Sequence, residues 1–196
     1  MRRAILLTLF LAAAFPAQAA DSAYTKLDFD TDCKPIAEDE LGGAWICAGY
    51  KEWQQNFAEG DLRQSVFYGE LGPWFEKGAF ESFSQFNHAG DTIEWRLHGG
   101  VPYATIRRWF VQGSFDDSGN AGPEVQVLVV SKVGQIGVGD ACVVGYVEAS
   151  ANRNANVLAR DVADTEARKF VCRVDVPLWH GARKNEEVQE SRSFGE

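Results

Sequence analysis

The stretch VQVLVVSKV, from Val125 to Val133, decides the fold that this sequence predicts. Apolar residues stand at both its odd and its even positions, whereas a strand with one wet face alternates between apolar and polar residues. A strand that is apolar on both faces is typical of the centre of a sheet. We therefore place this stretch in the middle of a sheet and assign the other segments around it.

Strand-like segments lie on both sides of this central stretch. Thr92 to Leu97 and Tyr103 to Val111 precede it, and Cys142 to Ala149 follows it. The polar, glycine-rich segment Gln112 to Pro123 is interpreted as a hairpin loop between two of the strands. Because the connections are short, these four strands are predicted to form an antiparallel meander.

Further strands are predicted nearer the N-terminus. In the first of them, apolar residues and cysteine alternate with aspartates, which indicates one wet face. The last two flank Glu59-Gly60-Asp61, which is interpreted as a hairpin turn. These strands are Leu27 to Cys33, Ala44 to Tyr50, Trp53 to Ala58 and Leu62 to Tyr68.

Two helices complete the predicted fold. Aromatic residues at helical spacing predict a short helix over the second half of the segment from Trp74 to Asn87. A long helix capped by Asn152 or Asn154 is predicted to run to about Phe170, with an apolar stripe that covers one face of the sheet. The predicted class is α+β, an antiparallel sheet of N-terminal strands plus a four-stranded meander, with one short helix and one long C-terminal helix packed on it.

The N-terminus has the three parts of a secretory signal peptide. Arg2 and Arg3 precede an apolar run from Ala4 to Phe15, and Ala17-Gln18-Ala19 is a small-x-small cleavage site. The apolar run is too short to span about 30 Å of hydrocarbon, so we expect cleavage after Ala19 and no membrane span after the signal is removed. The expected location is periplasmic or secreted.

Composition and charge limit the domain number and the partners. After the signal peptide over 1–19, the length favours a single domain over 20–180. Residues 181–196 are polar, charged and aperiodic, which predicts a disordered polar tail. The formal net charge of −9 becomes about −11 without Arg2 and Arg3. An acidic surface repels phosphate backbones, so nucleic acid is not an expected partner.

All four cysteines follow the predicted cleavage site, which is typical of two disulfides in an exported protein. A helix packed antiparallel to the strand that begins at Cys142 would return Cys172 to the start of that strand, so these two are predicted to pair. Cys33 and Cys47 then pair by elimination. The alternative, buried free thiols, is disfavoured by the oxidising compartment.

The sequence contains no G-x-S-x-G, H-E-x-x-H, P-loop or C-x-x-C motif, so no cofactor and no metal site is expected. The densest polar cluster and the strand after it supply the ligand-binding candidates. Glu94 and Arg96 share a strand face, and Arg107 alternates likewise on the next strand. We predict that Arg96 and Arg107 project from one sheet face, with Glu94 close enough to pair with one of them. The candidates are Glu94, Arg96, Arg107, His88 and His98.

Several segments resemble those of small exported proteins of alphaproteobacteria. They are EGDLR (Glu59–Arg63), FNHAGDTIEWR (Phe86–Arg96), ATIRRWF (Ala104–Phe110) and ANVLAR (Ala155–Arg160). That family is uncharacterised, so the resemblance implies a periplasmic address and supplies no activity, substrate or catalytic residue.

The favoured function is a non-catalytic periplasmic protein that binds a small ligand or another envelope protein. This choice rests on the missing nucleophile–base and metal patterns. The first alternative is a hydrolase of an envelope component, with His88, Asp91 or Glu94 as acid or base. The second is a proteinaceous inhibitor of an envelope-attacking enzyme, which would use the loop Gln112 to Pro123.

Overall fold

A computed structural model describes residues 20–73, 75, 78–115 and 118–194 of the chain. The predicted signal peptide over 1–19 lies outside the described residues. Of the described residues, 52% lie in strands and 10% in helices. The protein is therefore mostly β, and the predicted α+β class is wrong.

The strands and helices are numbered in chain order. The strands are β1 (Asp21–Lys26), β2 (Cys33–Asp39), β3 (Gly42–Tyr50), β4 (Trp53–Gly60), β5 (Arg63–Gly69), β6 (Phe80–Phe83), β7 (Asn87–His98), β8 (Val101–Val111), β9 (Val125–Gly134), β10 (Cys142–Glu148), β11 (Leu178–Trp179) and β12 (Glu190–Ser193). The helices are α1 (Phe29–Asp32) and α2 (Ala155–Glu166). The four segments of the predicted meander are therefore all strands, β7 to β10.

Most of these strands form one curled sheet in the order β1-β7-β8-β9-β5-β4-β3-β2, in which β10 also pairs with β9 and β11 with β10. Most neighbours are antiparallel, but β5 runs parallel to β9 at Tyr68 and Gly69, and β11 runs parallel to β10. The sheet is therefore mixed, not antiparallel as predicted. No hairpin joins β5 to β9, so short-turn reasoning does not fix their relative direction.

The stretch Val125 to Val133 lies in β9 and is buried on both faces, as predicted. Val127 and Val129 belong to a core enclosed by the curl of the sheet, which also holds Trp95 and Trp109. The side chains at the alternate positions of β9 belong to a second core, beneath α2. The long C-terminal helix was expected to cover one face, and the shorter α2 does so.

The helix α2 ends at Glu166, whereas the predicted helix ran to about Phe170. Beyond it, the backbone N–H groups of Lys169 and Phe170 both donate to the carbonyl of Glu166, which closes a turn. The turn leads the chain to Cys172 and its disulfide with β10. Within the described residues the protein thus has two short helices and no long C-terminal helix.

Two local predictions are wrong, one at β6 and one at α1. A short helix was predicted where β6 lies, because the spacing of Phe80 and Phe83 fits a helix. Its strand partner is β12, too distant in sequence for a local pattern to indicate. A strand was predicted where α1 lies, but Asp28 accepts the backbone N–H of Asp30 at 3.2 Å and caps a single helical turn instead.

Residues 181–194 are the described part of the segment that was predicted to be a disordered tail. In the structure they follow an ordered path. Val188 is fully buried in the core inside the curl. The carboxylate of Glu148, at the end of β10, accepts the backbone N–H groups of Lys184 at 2.7 Å and Asn185 at 3.1 Å. These contacts and the pairing of β12 with β6 hold the segment, and its polar composition reveals none of them.

Both disulfides have the predicted pairing. Cys33 bonds to Cys47 across paired strands β2 and β3, and Cys142 bonds to Cys172. The second bridge joins β10 to the chain beyond α2, so it closes the larger loop. Cross-linking a longer loop removes more conformational entropy from the unfolded chain.

We predict that replacing both Cys142 and Cys172 by Ala lowers the free energy of unfolding by about 4 kcal/mol. The matched change at Cys33 and Cys47 should lower it by about 3 kcal/mol, because the loop it opens is shorter. Urea unfolding of the two double variants at one pH measures both values. A larger loss for the Cys33 and Cys47 variant would contradict this ordering.

Candidate functional site

Glu94 and Arg96 project from one face of β7 toward α2, where each meets a residue of opposite charge. Arg160 donates to both carboxylate oxygens of Glu94, at 2.7 Å from Nε and 3.1 Å from Nη2. Arg96 donates to both oxygens of Asp164, at 2.8 Å from Nε and 2.6 Å from Nη2. Glu94 and Arg96 also approach each other at 3.7 Å, so the predicted pairing of Glu94 is confirmed. We call these four side chains the helix clamp.

Two hydroxyl groups donate hydrogen bonds to the carboxylates of the helix clamp. Ser22 donates to Glu94 at 2.5 Å, and Tyr103 donates to Asp164 at 2.6 Å. Burial raises the pKa of both carboxyl groups, but the bonds from the arginines and hydroxyls outweigh it and hold each pKa below its ordinary value. Burial, and then the bond to Asp164, raises the pKa of Tyr103 to about 12. The helix clamp thus uses its polar atoms to fix α2 on the sheet.

Arg107 lies on the other face of the sheet, so its predicted shared face with Arg96 is wrong. In the pairing of β7 with β8, Arg107 stands opposite Ile93 while Arg96 stands opposite Ala104, and paired residues share a face. Arg107 is buried inside the curl and donates to the carbonyl of Gly90 at 2.5 Å and to Oε1 of Gln55 at 3.0 Å. The register is interrupted between Ala89 and Ile93 and again between Arg96 and Leu97, and sequence alternation shows neither bulge. The second bulge gives β8 one extra residue before Ala104, which places Arg107 on the face opposite Arg96.

His88 lines an open cleft of about 460 Å³ where β4, β5, β7 and β8 meet the loop after β8. Its imidazole stacks on the ring of Phe110, with centroids 4.9 Å apart and 13° between the planes. Nδ1 of His88 lies 3.9 Å from Oε1 of Glu124. We call this the acidic cleft; its lining is Glu59, Leu62, Gln64, Phe86, Asn87, His88, Phe110, Gln112, Ala121, Gly122 and Glu124.

Two amide side chains hold the lining of the acidic cleft in place. Gln64 donates to Oε2 of Glu59 at 2.9 Å and accepts the backbone N–H of Ala89 at 2.8 Å. Asn87 is buried, accepts the backbone N–H of Gln64 at 3.2 Å and donates to the carbonyl of Gln85 at 2.8 Å. The floor of the cleft is therefore built by specific hydrogen bonds before any ligand arrives.

His98 lies at the other end of β7, on a second open cleft of about 360 Å³. This cleft carries three basic side chains around an apolar floor. Lys132 is bonded to Asp140 at 2.6 Å, and the guanidinium of Arg168 lies 4.9 Å from the ring centre of Tyr103. We call this the basic cleft; its lining is His98, Val101, Tyr103, Lys132, Val133, Gln135 and Arg168.

The structure does not bring the predicted acid and base residues together. Glu94 belongs to the helix clamp, His88 to the acidic cleft, and Asp91 forms an exposed ion pair with Lys26 at 3.1 Å. The loop Gln112 to Pro123 contributes to the wall of the acidic cleft and is closed by the bridge between Phe115 and Ala121. The separation of the acid and base residues adds no support to the hydrolase alternative, and the position of the loop adds none to the inhibitor alternative.

A buried ion pair that sequence reasoning missed joins β6 to β12. Glu81 accepts the Nε–H of Arg192 at 2.8 Å and the backbone N–H of Val143 at 2.6 Å. Burial raises the pKa of Glu81 to about 7, although Arg192 opposes this rise. The pair is closed from solvent, so it ties the end of the chain to the core and does not form an open site.

The sequence analysis found one residue of each cleft, His88 and His98, and missed the remaining lining. Glu59 stands in the predicted hairpin turn, and Glu124 follows the predicted loop. Both residues are of a type that suits a polar site. No local sequence pattern, however, indicates that β4, β5 and β8 have ends at the same place. Hydrogen bonds between the two hairpins bring them together, because the backbone N–H groups of Asn87 and Ala89 donate to Leu62 and Gln64, which are distant in sequence.

No protein-family model matches this chain, and no curated protein or solved structure matches it either. Among the described residues, no group of three or more His, Cys, Asp or Glu side chains could hold a metal ion. Neither helix in the described part of the chain has the length and apolarity needed to cross a bilayer. The two disulfides are consistent with an oxidising compartment, extracellular or periplasmic.

We predict that Asp164→Ala lowers the free energy of unfolding by about 2 kcal/mol, because it leaves buried Arg96 without its carboxylate. Asp161→Ala is the matched control, since Asp161 is exposed on the same helix and should change stability by less than about 0.5 kcal/mol. Urea unfolding at pH 7 compares the two. Equal losses would show that the helix clamp does not stabilise α2.

We predict that the protein loses stability as the pH rises from about 5 to about 7.5 through the ionisation of Glu81. Its folded pKa of about 7 exceeds its unfolded value, so over this range the folded state holds the proton that the unfolded state has released. Urea unfolding at several pH values measures the slope. Glu81→Gln should flatten it, and the exposed Glu187→Gln should leave it unchanged. A Glu81→Gln slope equal to that of the wild type would overturn this prediction.

Proposed function

We propose that this protein is an exported, non-catalytic binding protein whose acidic cleft takes up a small organic cation. The observation that carries the proposal is the charge of the cleft: its described lining contains two glutamates and neither lysine nor arginine. The volume of about 460 Å³ falls within the range of small-molecule sites.

The aromatic rings of the acidic cleft add a second attraction for cations. A cation over the face of an aromatic ring is stabilised by the quadrupole of that ring. Phe86 already accepts such a contact from within the chain, because the guanidinium of Arg63 lies 4.9 Å from its ring centre. Asp61 balances that guanidinium at 2.6 Å. The same combination of ring and carboxylate recurs where Phe110 and Glu124 flank His88.

The hydrogen bonds of Gln64 and Asn87 favour binding because they fix the cleft in advance. A preformed site loses less conformational freedom when it binds than a flexible one. Gln64 orients Glu59, and Asn87 fixes the start of β7 just before His88. The carboxylate of Glu124 is 57% exposed, so it is accessible to an arriving ligand.

The proposed location is the periplasm, or the exterior of the cell. Support comes from the signal-like sequence before Ala20, from the two disulfides, and from the resemblance to exported alphaproteobacterial proteins. In such a compartment the net charge, about −11 once Arg2 and Arg3 have been removed, also attracts cations over a longer range than the cleft itself.

We predict that N-acetylarginine amide binds the protein and that the isosteric, uncharged N-acetylcitrulline amide binds much more weakly. Glu124→Gln should weaken binding of the arginine amide about fivefold, which is about 1 kcal/mol for an exposed ion pair. Isothermal titration calorimetry at low salt gives both affinities, and added salt should reduce the difference between the two probes.

The matched control is Glu52→Gln, which removes one exposed carboxylate at the opposite end of β4 from the acidic cleft. It should bind the arginine amide as the wild type does. Equal affinity for the charged and uncharged probes would rule out a cation site. Equal weakening by the two variants would show that the overall charge, and not this cleft, attracts the ligand.

A further inference from the structure

The basic cleft has a charge opposite to that of the molecule as a whole. It lies at the turn between β7 and β8, beside the end of α2, and its described lining carries Lys132, Arg168 and His98 but no carboxylate. The chain has a formal net charge of −9, so a concentration of basic groups in one concave place is unusual for this surface. This site is separate from the acidic cleft and independent of the function proposed above.

Arg168 is the basic group that remains open to a ligand. Lys132 donates to Asp140 at 2.6 Å and to the carbonyl of Phe170 at 2.7 Å, so its charge is largely neutralised. The guanidinium of Arg168 packs on Tyr103 and, among the described residues, makes no ion pair within 4.0 Å. Asp164, one turn earlier, is close enough for Arg168 to help lower the pKa of its carboxyl group, but both of its oxygens are bound by Arg96.

The floor of the basic cleft is apolar, and Val101 is its exposed part. Val101 is 43% exposed, and the buried residues Tyr103 and Val133 lie beside it in the lining. Gln135 does not offer its amide N–H groups to the cleft, because they donate to the carbonyls of Pro102 and Val133. A ligand in this cleft therefore meets an apolar surface at one side and a guanidinium at the other.

We infer that the basic cleft binds an amphipathic monoanion, an aliphatic carboxylate whose head group pairs with Arg168 and whose tail lies on Val101. The carboxylate matches the forked donor geometry of a guanidinium. The tail removes the exposed side chain of Val101 from water, which favours binding in proportion to the area buried. His98, on the rim, adds a ring nitrogen that can donate to the head group.

The charge and the tail of the ligand can be tested separately with simple probes. Octanoate should bind, and octylammonium, which has the same tail and the opposite charge, should bind at least tenfold more weakly. Propionate, which keeps the head group and loses most of the tail, should also bind at least tenfold more weakly than octanoate. Protein-observed NMR titration measures each affinity and shows whether the amides of 98–103 and 132–135 shift.

Two substitutions assign the binding to this cleft. Arg168→Ala should weaken octanoate binding about tenfold, whereas Arg153→Ala, which removes the same charge before the start of α2, should leave it unchanged. Val101→Ser should weaken octanoate binding and leave propionate binding as it is. Both cleft positions are exposed, so the variants are expected to fold, and far-UV circular dichroism checks this.

Three results would overturn the inference. Equal binding of octanoate and octylammonium would show that the cleft selects tails and not anions. Equal effects of Arg168→Ala and Arg153→Ala would show that the anion binds elsewhere. Shifts confined to amides outside 98–103 and 132–135 would place the octanoate site on another surface, whatever its affinity.

Discussion

Strands β8 and β9 bury side chains on both of their faces, and each face needs its own cover of apolar residues. On one side the sheet curls over itself, so that β3, β4 and β5 pack their side chains against those of β7, β8 and β9. On the other side α2 lies over the sheet, and the helix clamp fixes it there through Glu94 and Arg96. The curl, the helix and the ion pairs all follow from this double burial.

The acidic cleft and the basic cleft lie beyond the parts of the sheet that are covered by its own curl and by α2. They are at opposite ends of the hairpin formed by β7 and β8. His88 marks the acidic cleft and His98 the basic cleft. The residues between them span about 30 Å at about 3.3 Å per residue, less the length lost in the bulge. The hairpin is buried at its middle, so the ligands that we propose for its two ends would not contact each other.

The sequence predicted the parts of this fold that local patterns control and missed those that distant pairing controls. The central position of Val125 to Val133 followed from apolar residues at both its odd and its even positions. The pairing of Cys142 with Cys172 followed from the lengths of a strand and a helix, and that of Cys33 with Cys47 by elimination. The place of β6 beside β12, and the ordered path through Val188, depend on partners far along the chain. Arg107 was assigned to the wrong face because a bulge interrupts the alternation that the prediction assumed.

The central claim is that one hairpin carries two clefts that select ligands of opposite charge, and NMR titration of a single labelled sample with both probes tests it most directly. We expect N-acetylarginine amide to shift the amides of 86–89, 110–112 and 121–124. We expect octanoate, added afterwards, to shift those of 98–103 and 132–135 with an affinity unchanged by the first probe. Displacement of one probe by the other, or shifts of the same amides by both, would contradict the account.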